Sequence, residues 1–309
     1  SSDGGITVTS TKKAAEGSYE IEVLQTATKN RIAAQGFEDN DTASVSAAGG
    51  TFSYKLGEEG TLKTIEVEAT TTLKQLAEKI NEAGAVNASI VNDGSDINPY
   101  RLVLTSNAEG KDYEIVIEQN DTLLNFVDKQ IESASADAGN ANDYLGEVTS
   151  SGTYTGTENT SYVLEIMTEG AADGTAKYRL STDGGLTFSD NNGVGFSVTS
   201  AGPIDLGNGV AINFEDNGTL KEGDTFSIDV FNPLLESGKD AILSVDGINV
   251  RKSSNQITDV FEGISFNVES ATIGQKATLK VERDSGSVTE KLAEFIGAYN
   301  GVVGFLQAQ

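Results

Sequence analysis

In a chain of 309 residues with no histidine and no cysteine, an enzyme would be expected to use carboxylates, as glycosidases on β scaffolds can. Thiolate nucleophiles, imidazole bases and the usual zinc, copper and haem ligands are all removed at once. Among 47 acidic residues, close pairs such as Glu58-Glu59 or Glu66 and Glu68 arise readily. A carboxylate glycosidase needs two acids facing each other across a cleft, one of them held protonated. The alternation Ile65-Glu66-Val67-Glu68 instead sends both carboxylates to the solvated face of a strand. Asp39-Asn40-Asp41, Asp93-Gly94-Ser95-Asp96 and Asp190-Asn191-Asn192 cluster oxygens of the kind that calcium takes. None has the spacing of an EF-hand loop, and the same residues are turn formers. Gly193-Val194-Gly195 and Gly207-Asn208-Gly209 do not open a helix after a strand, so they read as turns rather than phosphate loops. No catalytic, cofactor-binding or metal-binding residue is assigned, and no cofactor is expected.

Charge narrows the partners. The formal net charge of −26 repels nucleic acid phosphates and anionic membrane surfaces at long range, so no nucleic acid partner is expected. No apolar run approaches the ~20 residues of a spanning helix, and Ser1 to Gly5 is no signal peptide, so membrane insertion is not expected either. With 37% hydrophobic residues, 34 glycines, three prolines and no tryptophan, small cores of aliphatic and β-branched residues are expected.

The elements follow from periodicity. Tyr19, Ile21 and Val23 alternate with Ser18, Glu20 and Glu22, a strand whose partner must be distant, because Ala27 to Gly36 is mixed and polar; Ile264–Val268 or Ala277–Val281 are the expected partners. Ile6-Thr7-Val8 reads as a marginal edge strand. Phe52 to Leu56 and Leu62 to Val67 form a hairpin, with Leu62, Ile65 and Val67 as apolar positions. Thr72 and Gln75 then form a capping box over a helix whose stripe is Leu73, Leu76, Ala77 and Ile80, stopped at Gly84. Ala88–Val91, Arg101–Leu104 and Tyr113–Ile117 add strands. Asp121-Thr122 opens a second helix, with Leu123, Leu124, Val127 and Ile131 on one side. Residues 133–142 read as a linker. From Tyr154 to Phe231, strands at 162–166, 177–180, 196–198, 210–214 and 225–230 suit a small sandwich. Ala241–Val245 and Ile248–Val250 make a hairpin at Asp246-Gly247. Ser253-Ser254-Asn255 predicts a short helical turn over Ile257–Phe261, before strands at 264–269 and 277–282.

The series Leu243-Ser-Val-Asp-Gly-Ile-Asn-Val250, Ser253-Ser-Asn-Gln-Ile257, Gly263-Ile-Ser-Phe-Asn-Val268 and Phe295-Ile-Gly-Ala-Tyr-Asn300 resembles the flagellar filament cap, the hook-associated protein 2 family. Ser18 to Leu24 and Thr72 to Gly110 extend the resemblance over roughly the first third and last quarter of the chain. The fold class expected is mainly β and multidomain, with β-rich α+β units and a C-terminal coiled-coil-like helix. The expected divisions are a discontinuous leg-proximal β domain (1–36 and 239–285), a hook-type α+β head domain (37–135), an inserted sandwich-like domain (146–238) and the start of a helical leg (286–309).

That last helix is read as beginning at Ser287, capped with Glu290. Leu292, Phe295, Tyr299, Val302 and Leu306 are spaced as the seam of a coiled coil, and Ile296 and Val303 widen it. The helix runs to Gln309 with no stop signal, as if cut off mid-course, its N-terminal counterpart missing. An ordinary core helix would show the same stripe, but nothing downstream could cover it. The resemblance implies a structural protein, not an enzyme: a homo-oligomeric ring at the distal tip of the flagellum, secreted and extracellular. It would retain exported flagellin and promote its insertion, with hook-filament junction proteins as further partners. The seven stripe residues would then serve leg packing or partner contact. A secreted adhesin or glycan-binding module is the alternative.

Overall fold

The computed structural model describes residues 2–3, 5–94, 98–136, 142, 144–282 and 286–307. The architecture is mainly β and multidomain: short antiparallel sheets around separate apolar cores, with two α-helices among the described residues. The chain divides into two compact units, one of Ser1–Lys29, Ala108–Tyr113 and Gly238–Gln309, the other of Asn30–Asn107 and Glu114–Ser237.

In the first unit, Gly17–Gln25 lies between Ala241–Val245 and Lys276–Val281, and Ile248–Lys252 completes the sheet. Alternation decides the faces: Ile21 and Val23 are buried while Glu20 is exposed. The Asp246-Gly247 turn has φ of +48° and +82°, the pair that a two-residue hairpin requires. Asp246 also fixes register, since its carboxylate accepts the N–H of Glu20 at 2.8 Å while its own N–H donates to the Glu20 carbonyl at 2.9 Å. Ile6–Ser10 is not an edge strand: it pairs with Ser2–Asp3 on one side and Ile264–Asn267 on the other, burying Ile6. The helical turn expected at Ile257–Phe261 is also corrected, because Gln256–Phe261 is a strand on Ile264–Asn267. Asn255 explains the difference. Its side chain, instead of capping a helix, accepts the Ala27 N–H and donates to the Ala27 carbonyl (2.8 and 2.9 Å), standing in for a strand neighbour.

In the second unit, Leu73–Ala83 (α1) packs with two sheets around Phe52, Tyr54, Leu102 and Leu104. Thr72 and Gln75 form the reciprocal capping box, and Gly84 ends the helix at φ +73° with its N–H on the Ile80 carbonyl. Leu73, Leu76, Ala77 and Ile80 are all buried. Leu62, expected to point inward, is 52% exposed, because its strand begins only at Lys63.

Lys29–Ala33, hidden in a polar stretch, is a strand between Leu234–Glu236 and Tyr100–Glu109. Buried Asn30 uses both ends of its side chain, accepting from the Ile115 N–H and donating to the Glu236 carbonyl (both 2.9 Å). The second helix expected from Asp121 is not formed: among the residues to Ile131, Gln130–Ile131 pairs with Thr225–Phe231 and the rest is irregular. Here side chains compete with a helix for the backbone. Asn125 Oδ1 accepts the N–H groups of Val127 and Asp128, Thr122 Oγ1 accepts that of Leu124, and Asn120 Nδ2 donates to the Leu124 carbonyl. Leu124 and Phe126 still reach the core; Leu123 and Val127 do not. Of the expected linker, Ser135–Ala136 pairs with Thr225–Phe231, and residues 137–141 lie outside the described residues.

From Gln130 to Phe231 two sheets share one core. Gln130–Ile131, Thr225–Phe231, Thr160–Thr168, Asp173–Ser181 and Phe196–Thr199 form one layer, and Val148–Gly152, Val210–Phe214 and Ile204–Gly207 the other. Phe214 meets Phe226 edge to face, with centroids 5.2 Å apart. Between Asp173–Ser181 and Phe196–Thr199 the loop is organised by Asp183, whose carboxylate accepts the hydroxyls of Ser181 and Thr187, both at 2.6 Å, and the Thr187 N–H.

Candidate assembly surface

Gly286–Gln307 (α2) carries the stripe that periodicity singles out. The side chains of residues 286–288 lie outside the described ones, so the cap read at Ser287 has no structural account. The helix begins at Gly286, one residue earlier than expected. Leu292, Phe295, Ile296, Tyr299, Val302 and Leu306 are exposed, from 49% at Ile296 to 67% at Phe295 and Leu306, and Val303 is partly exposed. Phe305, absent from the predicted stripe, is 65% exposed as well. A Cβ placed on Gly297, Gly301 or Gly304 would meet no atom within 4 Å. No described element covers the stripe, whose aromatic and branched side chains form the kind of contiguous apolar patch that marks an interaction site. The missed residue had a signal: Phe305 sits three after Val302 and directly before Leu306, widening the seam toward its end.

The acidic clusters behave differently from a metal centre. Glu66 and Glu68 lie on the exposed face of Lys63–Val67 and just beyond it. Asp39 accepts the N–H groups of Asp41 and Thr42, both at 2.7 Å, which hold its carboxyl below the usual range. Asp190 accepts the Gly193 N–H at 3.0 Å, and Asp93 pairs with Arg101 at 2.5 Å; Ser95 and Asp96 lie outside the described residues. The carboxylates of Asp39, Asp41, Asp93 and Asp190 are each used in a turn or an ion pair. Among the described residues no three acidic side chains converge as metal ligands. A cavity of about 420 Å³ in the second unit is lined by Arg101, Asp229, Val103 and Phe231 among others. There the Arg101 guanidinium stacks on the Phe231 ring at 4.4 Å and pairs with Asp93, its buried Nη1 having no hydrogen-bond partner among the described residues, and Asp229 accepts the Ser161 hydroxyl. Among the described residues no helix is long and apolar enough to cross a membrane.

Two family models match separate parts of the sequence: residues 238–309 match the flagellar hook-associated protein 2 C-terminus, and residues 42–108 the flagellin hook IN motif. Over nearly the whole chain, relatives carry the same description. The A-type flagellar hook-associated protein 2 of Pseudomonas aeruginosa is 24% identical over 302 residues, covering 96% of this chain and 45% of that protein. The chain is similar to members of the flagellar hook-associated protein 2 family. A member from Campylobacter jejuni is 25% identical over 294 residues, covering 94% of this chain and 35% of its own length. The chain thus spans less than half the length of these curated family members. Two solved structures share the fold. One is the D1-D2-D3 domains of the flagellar cap protein FliD from Escherichia coli, with a TM-score of 0.53 and 18% identity over 100% of this chain and 72% of that one. The other is FliD (HAP2) from P. aeruginosa PAO1, at 0.52 and 22% over 98% and 95%. The family's C-terminal model takes in the whole exposed stripe of α2, and none of these comparisons supports an adhesin.

Proposed function

We propose that this chain is the outer, β-rich part of a flagellar filament cap, with a structural rather than an enzymatic role. In this reading it assembles into a homo-oligomeric ring at the distal end of the filament, outside the cell, and retains exported flagellin so that subunits insert beneath it. The divisions proposed are a leg-proximal domain at 1–36 and 239–285, a hook-type head at 37–135, an inserted outer domain at 146–238 and the start of the leg at 286–309, with Lys29–Ala33 lending its strand to the head sheet and Gln130–Ile131 to the sheet of the inserted domain. Flagellin and the hook-filament junction proteins are its partners. The observation that carries this reading is α2: a seam of large apolar side chains at coiled-coil spacing, exposed along its length, in the segment that matches the family's C-terminal model. Such a seam is stable in water only against another helix or a partner subunit.

Motility complementation in a cap-deficient strain of the same species tests it. The full-length parent should restore filaments. The parent carrying Leu292→Ala, Phe295→Ala and Tyr299→Ala should release flagellin into the medium, with short or absent filaments. If the unaltered parent restores none, the cap reading falls; if the triple variant swims normally, α2 is not the working surface.

A further inference from the structure

Four Asn-Gly pairs occur in the sequence, at Asn192, Asn208, Asn217 and Asn300. In such a pair the backbone nitrogen of the glycine can attack the asparagine side-chain carbonyl, because no Cβ stands in its way. The N–Cγ bond forms, ammonia leaves, and the cyclic imide then takes up one water at either carbonyl to give aspartate or isoaspartate. The net change is one water consumed, one ammonia released and one negative charge gained. Attack requires an available glycine nitrogen and a chain free to bring the two atoms to within about 3–3.5 Å.

The fold withholds these conditions from three of the pairs. Asn300 and Gly301 lie inside α2, where the helix fixes the backbone. Gly193 spends its N–H on the Asp190 carboxylate at 3.0 Å, and Asn192 is held at φ +58°. Asn208 sits at φ +51° in the tight turn between Ile204–Gly207 and Val210–Phe214, and its side-chain amide donates to the Tyr162 hydroxyl at 2.9 Å.

Asn217 and Gly218 are both exposed and lie outside any strand or helix. Among the described residues, neither the Asn217 side chain nor the Gly218 N–H has a hydrogen-bond partner. The segment is pinned on either side. Before it, the Glu215 N–H donates to the Glu147 carbonyl at 2.9 Å, and the Glu215 carbonyl accepts the Tyr144 hydroxyl. After it, Leu220 and Gly170 exchange backbone hydrogen bonds at 2.9 and 3.0 Å. Between those anchors the Asn217 N–H donates to the Glu215 carbonyl at 3.0 Å, while the Asn217 side chain and the Gly218 N–H, the two groups that react, stay unbonded among the described residues.

We propose that Asn217 is a self-modifying site of this protein, converting by way of a cyclic imide to isoaspartate and aspartate in the folded state ahead of the other three asparagines. The product places a new carboxylate next to exposed Glu215 and Asp216. In isoaspartate it also adds one atom to the main chain beside Tyr144 and Leu145, whose atoms lie 3.6–3.9 Å from where a Gly218 Cβ would stand. The charge and local shape of this sandwich loop would therefore record the age of the molecule.

The test is to incubate the folded chain in mildly alkaline buffer at body temperature and follow each asparagine by proteolysis and tandem mass spectrometry. Isoaspartate is scored by enzymatic carboxyl methylation, and a sample in concentrated urea gives the unfolded rates. The expected result is a one-dalton gain at Asn217 at least about tenfold faster than at Asn192, Asn208 or Asn300 when folded, given the geometric demand on the attack. In urea the advantage over Asn192 and Asn208 should largely disappear. Asn217→Gln, a change at an exposed side chain, should remove the early methyl-accepting signal. The proposal is overturned if Asn192 or Asn208 converts as fast as Asn217 in the folded chain, or if Asn217 stays intact while the urea sample converts.

Discussion

Both helices carry apolar stripes and put them to opposite uses. In α1 the stripe of Leu73, Leu76, Ala77 and Ile80 is consumed by the molecule's own core, and both ends of the helix are finished, by a capping box and by Gly84. In α2 the stripe from Leu292 to Leu306 faces solvent. An amphipathic pattern thus measures how much apolar surface a helix must cover, and not whether the cover comes from within the chain. Core mutations in α1 should register as stability, and seam mutations in α2 as assembly.

The largest effect expected is from Leu76→Ala, which should lower unfolding stability by about 2–5 kcal/mol in denaturant titration, as for other fully buried leucines. Leu292→Ala with Phe295→Ala should move the same transition by less than about 0.5 kcal/mol, since both side chains are exposed, while abolishing filament growth in the full-length parent. A large stability loss in that double variant would mean that α2 is covered in solution. Thr72→Ala should cost about 1 kcal/mol by removing the cap of α1.

Tyr54→Phe should cost about 1 kcal/mol through the lost hydrogen bond to the Gly84 carbonyl at 2.8 Å, which ties the core to the end of α1. It should also change the alkaline limb. Burial pushes the Tyr54 hydroxyl up to about 12 from an ordinary value of 10.0. The stabilisation is therefore complete below pH ~10 and disappears as pH rises toward 12. Far-ultraviolet dichroism against pH should show a shallower alkaline loss in the variant.

The smallest effect is on the acid side. Hydrogen bonds from Ser181 and Thr187 hold the Asp183 carboxyl at about 2, so its contribution is present above its ordinary value of 3.8 and is lost as pH falls through 2. Asp183→Asn should flatten the stability profile between those limits and leave α1 unaffected; a flattening equal to that of an unrelated surface variant would show that the loop is held by other contacts.

What the sequence made legible was mostly local, the pairing of Gly17–Gln25 with Lys276–Val281 being the long-range exception. The capping box at Thr72 and Gln75, the Asp246-Gly247 turn and the alternation of Tyr19 to Val23 each depend on residues a few positions apart. Lys29–Ala33 was invisible because its partners are Tyr100–Glu109 and Leu234–Glu236, and nothing in a polar stretch announces a strand that is stabilised from so far away. The apolar spacing of Leu123 to Ile131 was real but subordinate, since Thr122, Asn120 and Asn125 gave the backbone better hydrogen bonds than a helix would. Asn255 misled for a related reason: its side chain serves Ala27, 228 residues away. On α2 the stripe was legible, and Phe305 was the part of it that was missed. What covers the stripe was not legible, because spacing carries no information about a partner.

The placement of Gly17–Gln25 between Ala241–Val245 and Lys276–Val281 has a consequence in time. Its turn-fixing contact, from Glu20 to Asp246, joins residues 226 apart, so closing it carries the delay that non-local pairing imposes on folding. On a chain delivered amino terminus first, this strand emerges long before either of its partners, with both edges unpaired, a state open to pairing with the wrong neighbours. It stays so while Leu73–Ala83 and the sandwich strands can already be collapsing around their own cores. A strand that appears well before both of its partners is then among the last to be enclosed.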